Sequence, residues 1–157
     1  REIVFPFIHR TLASDEPAPA YEQEERGMSE LGKVFTFAQD DQFYPSFAEK
    51  AAYSICSIAG SQYFSNGNKR LGVATLLFFL TMNDASVEVL DAGSYEKITR
   101  ESLPEAVWES NAAINDSHAL FLYNLAITIG DRAKWGCKDF TALRENVAAL
   151  FAHIYRL

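Results

Sequence analysis

Apolar residues recur every three or four positions through most of the chain, in segments separated by Gly, Pro, Ser or Asp. This spacing is typical of amphipathic helices joined by short loops. No segment shows the sustained alternation of a sheet, so the predicted fold class is all-α with one small hairpin. The pattern predicts helices at residues 2–13, 29–37, 46–61, 69–83, 94–101, 103–115, 117–129 and 141–156.

Several helix starts have recognisable capping residues. Ser46-Phe47-Ala48-Glu49 and Ser102-Leu103-Pro104-Glu105 each have the form of a capping box, in which the Ser hydroxyl and the Glu carboxylate bond to each other's backbone amides. Residues 14–26 hold two prolines and an acidic cluster and predict a loop that Gly27 ends, and Ser29 is the expected N-cap of the next helix.

Two further stretches depart from ordinary amphipathic helices. Residues 36–45 lack a helical period and mix aromatic residues with Asp40 and Asp41, which predicts an exposed flap or short hairpin. Residues 69–83 are apolar nearly all round, which predicts a helix packed on every side. Residues 87–90 are too short a run to predict an element. In the closing helix, one face should carry Leu143, Val147, Leu150, Phe151 and Ile154.

Length and charge narrow the class of protein. The 157 residues suit a single domain, and the start at Arg1 is what we expect of a domain cut from a longer protein. A net charge of −7 argues against nucleic-acid binding and against adhesion to anionic membranes. The apolar run at 71–82 is far shorter than the roughly 20 residues of a membrane span. Cys56 and Cys137 are expected to be reduced thiols in a cytoplasmic protein.

The candidate chemistry lies in the polar run Ser65-Asn66-Gly67-Asn68-Lys69-Arg70, between two apolar helices. The first turn of a helix has free amides and a positive dipole end, and therefore attracts anions. Here Gly67 would let a phosphate approach the backbone, Asn68 could cap the helix, and Lys69 and Arg70 add positive charge. A solvated turn followed by a helix cap is the alternative interpretation of the same residues.

The longer run Gln62-Tyr63-Phe64-Ser65-Asn66-Gly67-Asn68-Lys69-Arg70 resembles the signature of the Fic/Doc (death-on-curing) family. That signature reads His-any-Phe-any-Asp/Glu-Gly/Ala-Asn-Lys/Gly-Arg, and the resemblance extends over roughly residues 9–99. It implies a helical bundle with a β-hairpin flap over the active site. It also implies transfer of AMP, another nucleotide piece or a phosphoryl group from ATP or another nucleotide to a protein hydroxyl.

The resemblance assigns roles to individual residues. It makes Phe64 the buried anchor of the loop, and it places the flap that aligns a protein target at residues 36–44. It gives the anion hole to Gly67 and Asn68, and the nucleotide phosphate contacts to Lys69 and Arg70.

Two positions depart from the signature. Gln62 stands at the catalytic His, and a glutamine amide cannot take a proton from the acceptor hydroxyl. Asn66 stands at the metal-binding carboxylate, and its lack of charge argues against tight Mg²⁺ binding. The other histidines, His9, His118 and His153, are more typical of structural or surface residues. Asp40 and Asp41 on the expected flap are the best spare bases.

Three functions remain open from the sequence. The favoured one is a pseudoenzyme that keeps a nucleotide or phosphate pocket but is impaired in transfer. The second is an active transferase with rewired catalysis. The third is a protein–protein module of a toxin–antitoxin system, which binds a protein target or an antitoxin-like partner through residues 36–44. We find no match to the inhibitory helix that often restrains active members of the family.

Overall fold

The computed structural model describes residues 19–157, so the predicted helix at 2–13, with His9, lies outside the described residues. Within them the chain is mostly helical, with one antiparallel pair of short strands. After a 3₁₀ turn at Tyr21–Gln23, the elements are α1 (Glu25–Ala38), α2 (Phe47–Ala59), α3 (Asn68–Met82), β1 (Ser86–Val87), α4 (Ala92–Ser102), α5 (Ser117–Gly130), α6 (Phe140–Ile154) and β2 (Tyr155–Arg156).

Helix α2 is the centre of the fold and packs against α1, α3, α5 and α6. Its predicted capping box is confirmed: the Ser46 hydroxyl accepts from the Glu49 amide at 3.2 Å, and the Glu49 carboxylate accepts from the Ser46 amide at 2.8 Å. Helices α2 and α3 approach closely at Gly72, where a β-carbon would lie 2.9 Å from that of Ala59. This crossing fixes the start of α3 relative to the end of α2.

The closing helix also follows its predicted pattern. All five residues of its expected apolar face are buried, and the Asp139 carboxylate caps its first turn. Beyond α6, Tyr155 pairs with Val87 and Arg156 with Ser86, so the short run near residue 87 does form a strand. No local pattern predicts this pairing, because two-residue strands are defined by the partner that tertiary packing brings alongside.

The start of α1 was predicted wrongly. The helix begins at Glu25 rather than after Ser29, so the loop predicted through residue 26 ends early. Gly27 lies inside the first turn and is buried against the ring of Phe64 and the backbone of Tyr63, which a β-carbon would contact at 2.6 Å. Glycine is present here because two segments touch, not because a loop ends at this position.

Residues 36–45 are mostly exposed, as predicted for a flap, but the alternative of a short hairpin was wrong. Residues 36–38 complete α1, and residues 39–45 form turns without a strand. Lys50 holds this segment by donating to the Ala38 carbonyl oxygen and pairing with Asp41 at 2.6 Å. Tyr44 stacks on Tyr53 with ring centroids 4.4 Å apart. The segment is therefore attached to the surface of α2 by its side chains, which removes the need for backbone pairing.

The helix predicted at 103–115 is absent, and Ser102 is the last residue of α4 rather than an N-cap. Residues 103–116 are irregular, and side chains from outside the segment satisfy three of their backbone groups. The Asn124 amide exchanges hydrogen bonds with the backbone of Glu109 at 2.7 and 3.1 Å, and Arg100 donates to the Ala106 carbonyl oxygen at 2.9 Å. These distant partners replace the helical bonds that the local pattern predicted.

Helix α3 is less enclosed than predicted. Its residues Val73, Leu77, Phe78 and Phe79 are only partly buried, whereas α2 is buried along most of its length. The face of α3 that carries Val73 and Leu77 borders a cavity. Among the helices of residues 19–157, none is long and apolar enough to cross a membrane.

Candidate phosphate-binding site

The candidate loop leaves α2 at Gly60 and enters α3 through Gly67, which is the N-cap residue with φ +75°. That left-handed conformation is one that glycine adopts without strain. A β-carbon at Gly67 would collide with the Tyr21 hydroxyl, which itself donates to the Gly67 carbonyl oxygen at 3.1 Å. Glycine is therefore required by the backbone and by Tyr21, in addition to any access that it gives a phosphate.

Phe64 holds the loop against the protein interior, as expected of an anchor. Its side chain is buried in a small cluster with Leu31, Val34, Ile58 and Leu71. The ring of Tyr21 meets it edge-on, with centroids 5.0 Å apart. Burial raises the pKa of Tyr21 to about 12, so its hydroxyl keeps its proton and remains a donor to the loop.

Asn68 does not cap α3, contrary to the sequence prediction, because Gly67 is the N-cap and no side chain caps it. Asn68 is instead buried, and its amide is bonded to a single residue. Its Oδ1 accepts from the Phe64 amide at 3.0 Å, and its Nδ2 donates to the Phe64 carbonyl oxygen at 2.8 Å. The side chain thereby closes the loop, and a contribution to an anion site would come from its backbone amide.

Two supporting residues, Tyr21 and Glu24, were missed by the sequence interpretation. The Glu24 carboxylate accepts from the Ser65 amide at 2.8 Å and from its hydroxyl at 2.6 Å. The hydrogen bond from the Ser65 hydroxyl, followed by that from the Ser65 amide, holds the pKa of the Glu24 carboxyl below its usual value. Nothing in the local pattern distinguishes Glu24 from its acidic neighbours, because its partner lies 41 positions away.

The loop opens onto a cavity of about 790 Å³ between α3 and α5. The wall formed by the loop and α3 brings together most of the predicted site residues, namely Gln62, Asn66, Gly67, Asn68, Lys69 and Arg70. The middle of the cavity is aliphatic, with Val73 and Leu77 facing Leu122, Ala126 and Ile127. The cationic end of the cavity lies at the loop, whereas Asp116 and His118 line its far end.

Lys69 crosses the cationic end to the opposite wall. Its Nζ lies 2.6 Å from Oδ1 of Asp131, whose Oδ2 lies 2.9 Å from Nζ of Lys134. The hydrogen bond from Lys69, followed by that from Lys134, keeps the pKa of Asp131 below its usual value. The Lys69 ammonium, which the sequence analysis assigned to a ligand phosphate, is therefore paired with a carboxylate. Asp131 was not among the predicted site residues.

The residues present do not fit a Mg²⁺ ion. Asn66 Oδ1, the oxygen that would face a metal, accepts a hydrogen bond from the Gly67 amide. The Asp131 carboxylate is bonded to two lysines. No group of three or more His, Cys, Asp or Glu side chains in residues 19–157 is arranged to hold a metal ion.

The candidate replacement bases that the structure describes, His118, His153, Asp40 and Asp41, lie away from the loop. His118 borders the cavity at the opposite end of α5 from Asp131, roughly 20 Å along the helix axis at 1.5 Å per residue. Its Nε2 lies 3.0 Å from the Tyr155 hydroxyl, and burial lowers the pKa of the imidazole. His153 is exposed on α6, whereas Asp40 accepts from the Gln42 amide and Asp41 pairs with Lys50. Within residues 19–157, therefore, no candidate base lies beside Gln62, and His9 lies outside these residues.

The cysteines have no part in this site. Cys56 is buried in the core, where burial raises the pKa of its thiol to about 12, and both Cys56 and Cys137 are free.

The chain matches no protein-family model, no curated protein and no solved structure.

Proposed function

We propose that this chain is a degenerate Fic/Doc-like domain whose loop at residues 62–70 binds the phosphate groups of a nucleotide such as ATP. The observation that carries the proposal is the shared cavity, which Gly67, Lys69 and Arg70 all border at the start of α3. Two cationic side chains beside the first turn of a helix form a favourable anion site. The aliphatic middle of the cavity offers a surface for the rest of the ligand.

The proposal includes impaired transfer to protein hydroxyls. Gln62 is exposed at the cavity and can orient a hydroxyl, but its amide cannot accept the proton that the hydroxyl loses on attack. Asn66 is neutral and hydrogen-bonded within its own loop. Loss of a general base typically slows a reaction about a hundred- to ten-thousandfold. Binding without efficient transfer is the combination that these residues support.

Labelling with α- and γ-labelled ATP tests this function against that of a rewired but active transferase. The wild-type chain and a Gln62→His/Asn66→Asp variant are each incubated with a lysate, with and without Mg²⁺. We expect transfer by the double variant only, since transfer requires both the general base and the metal-binding carboxylate. Strong labelling of a protein by the wild-type chain would overturn the pseudoenzyme assignment and favour the active transferase.

A second candidate function is binding to a protein partner, as in a toxin–antitoxin pair. It is favoured by three exposed phenylalanines close together in sequence, Phe35, Phe37 and Phe43. Exposed aromatic side chains are enriched at protein interfaces. A partner that copurifies with the wild-type chain, but not with a Phe37→Ser/Phe43→Ser variant that keeps its melting temperature, would support this function. Equal recovery with both chains would remove it.

A further inference from the structure

The contact between Lys69 and Asp131 joins the two walls of the cavity at its cationic end. Lys69 belongs to the first turn of α3, and Asp131 is the residue that follows α5. The 2.6 Å ion pair uses one carboxylate oxygen, and Lys134 is bonded to the other at 2.9 Å. Each oxygen of Asp131 therefore has its own lysine.

The end of α5 also leaves room for this contact. The methylene groups of Lys69 run across Gly130, where a β-carbon would collide with Cε and crowd Cγ and Cδ. The missing β-carbon therefore lets the Lys69 side chain take this path to Asp131.

We propose that Asp131 is an internal competitor for the anion site, whose carboxylate holds Lys69 until a ligand phosphate displaces it. This inference rests on the proposed function, because it takes the loop to be where phosphate binds. The side chains of Lys69 and Asp131 are 42% and 22% exposed. A hydrated pair of this kind contributes only about fivefold to an equilibrium constant, so a phosphate can replace it. Asp131 keeps Lys134 when Lys69 leaves, and is not left without a cation.

Competition of this kind favours ligands that carry several negative charges over ligands that carry one. A ligand with a single negative charge exchanges one carboxylate bond of Lys69 for another of similar strength, and gains little. A ligand with adjacent phosphates brings several negative charges to Lys69 and Arg70 together, and repays the lost pair. The ligand class that follows is a diphosphate or triphosphate ester rather than a carboxylate or a phosphate monoester.

Calorimetry with inorganic pyrophosphate, at low ionic strength and without divalent cations, tests the role of Asp131. We expect Asp131→Asn to tighten binding about fivefold, the worth of the released pair. Lys69→Gln should weaken binding, and in that background Asp131→Asn should change the affinity by less than about twofold, the usual limit for sites that do not couple. This double-mutant cycle separates action through Lys69 from a general gain in positive charge.

Asp116→Asn is the matched control. Asp116 borders the same cavity at the far end of α5, and Asn can keep its cap on the Ala119 amide. We expect this variant to bind pyrophosphate like the wild type. An equal gain from Asp116→Asn and Asp131→Asn would overturn the competition.

The remaining outcomes separate the two proposals. If Arg70→Ala weakens pyrophosphate binding while Asp131→Asn leaves it unchanged, the role of Asp131 is wrong and the proposed function stands. If no variant binds pyrophosphate, both are wrong. Should Asp131→Asn fail to fold, Lys134→Gln replaces it. That change removes the second lysine from Asp131, so that Asp131 pairs with Lys69 alone, and it should weaken pyrophosphate binding. Unchanged binding by this variant would contradict the competition.

Discussion

The hydroxyl of Tyr21 lies so close to Gly67 that a β-carbon there would collide with it, and it donates a hydrogen bond to the Gly67 carbonyl oxygen at 3.1 Å. A buried tyrosine that precedes α1 thus fixes the backbone at the start of α3. The same ring contacts Phe64 edge-on, so one side chain supports both the apolar anchor and the last residue of the loop. The shape of the candidate site depends on this contact.

Gly67→Ala should therefore destabilise the protein more than a left-handed backbone alone explains. Forcing alanine into that conformation costs about 1–2 kcal/mol, and overpacking against Tyr21 adds about 1–3 kcal/mol. Urea denaturation measures the sum. Gly136→Ala is the matched control, because Gly136 has φ +73° but nothing within 4 Å of a β-carbon.

The difference between the two glycine variants measures the crowding at Gly67, which comes from Tyr21 and, at 3.0 Å, from Cδ of Pro19. In a Tyr21→Phe background the hydroxyl is gone, and the cost of Gly67→Ala should fall towards that of Gly136→Ala. If Gly67→Ala and Gly136→Ala cost the same free energy of unfolding in the wild-type background, Tyr21 does not hold the loop.

Asn68→Ala should be one of the most destabilising polar substitutions in this part of the chain. It leaves the amide and the carbonyl of buried Phe64 without their partner, at about 1–3 kcal/mol for each group. The expected loss is about 2–6 kcal/mol in the free energy of unfolding, measured in urea. Asn83→Ala also removes a hydrogen bond to a backbone carbonyl, but at an exposed site, and should cost less than about 0.5 kcal/mol. Similar losses for both variants would contradict the conclusion that the Asn68 side chain closes the loop.

His118 should make stability depend on pH near neutrality. Burial lowers its pKa in the folded state, so the unfolded chain binds the proton more tightly. The contribution of His118 to stability is then fully present above its unfolded pKa of about 6.5. It is lost as the pH drops through the pKa of His118 in the folded state. We expect the free energy of unfolding to decline between about pH 7 and pH 5, and His118→Gln to flatten that decline. Exposed His153→Gln should leave the profile unchanged, and a profile that His118→Gln also leaves unchanged would exclude this role.

Helical periodicity was sufficient to find all six described helices, because their buried faces are formed by residues close in sequence. The face of α6 and the capping box at Ser46 are local patterns, and both were confirmed. The helix at 103–115 was wrong because Asn124 and Arg100, which the local pattern does not contain, satisfy that segment's backbone. The missing hairpin has the same cause, since Lys50 and Tyr53 hold the segment from α2.

The candidate site was predictable only on one wall. Residues 62–70 form a contiguous run whose polarity stands out between two apolar helices. A local sequence pattern cannot identify Asp131 and Gly130 as site residues. Their partner Lys69 is about 60 positions away, and an Asp after a helix is ordinary in any sequence. Only the packing of α3 beside α5 brings them together.

The central claim is that the start of α3 binds the phosphates of a nucleotide. Calorimetric titration of the chain with ATP, comparing the wild type with Arg70→Ala, tests it most directly. Arg100→Ala serves as the control, since Arg100 pairs with Glu96 on α4 and does not border the cavity. We expect Arg70→Ala to weaken binding by about 1.5–3 kcal/mol, the worth of a hydrogen bond to a charged group, and Arg100→Ala to bind like the wild type. Equal ATP affinity for the wild type and a folded Arg70→Ala chain would contradict the assignment of the site.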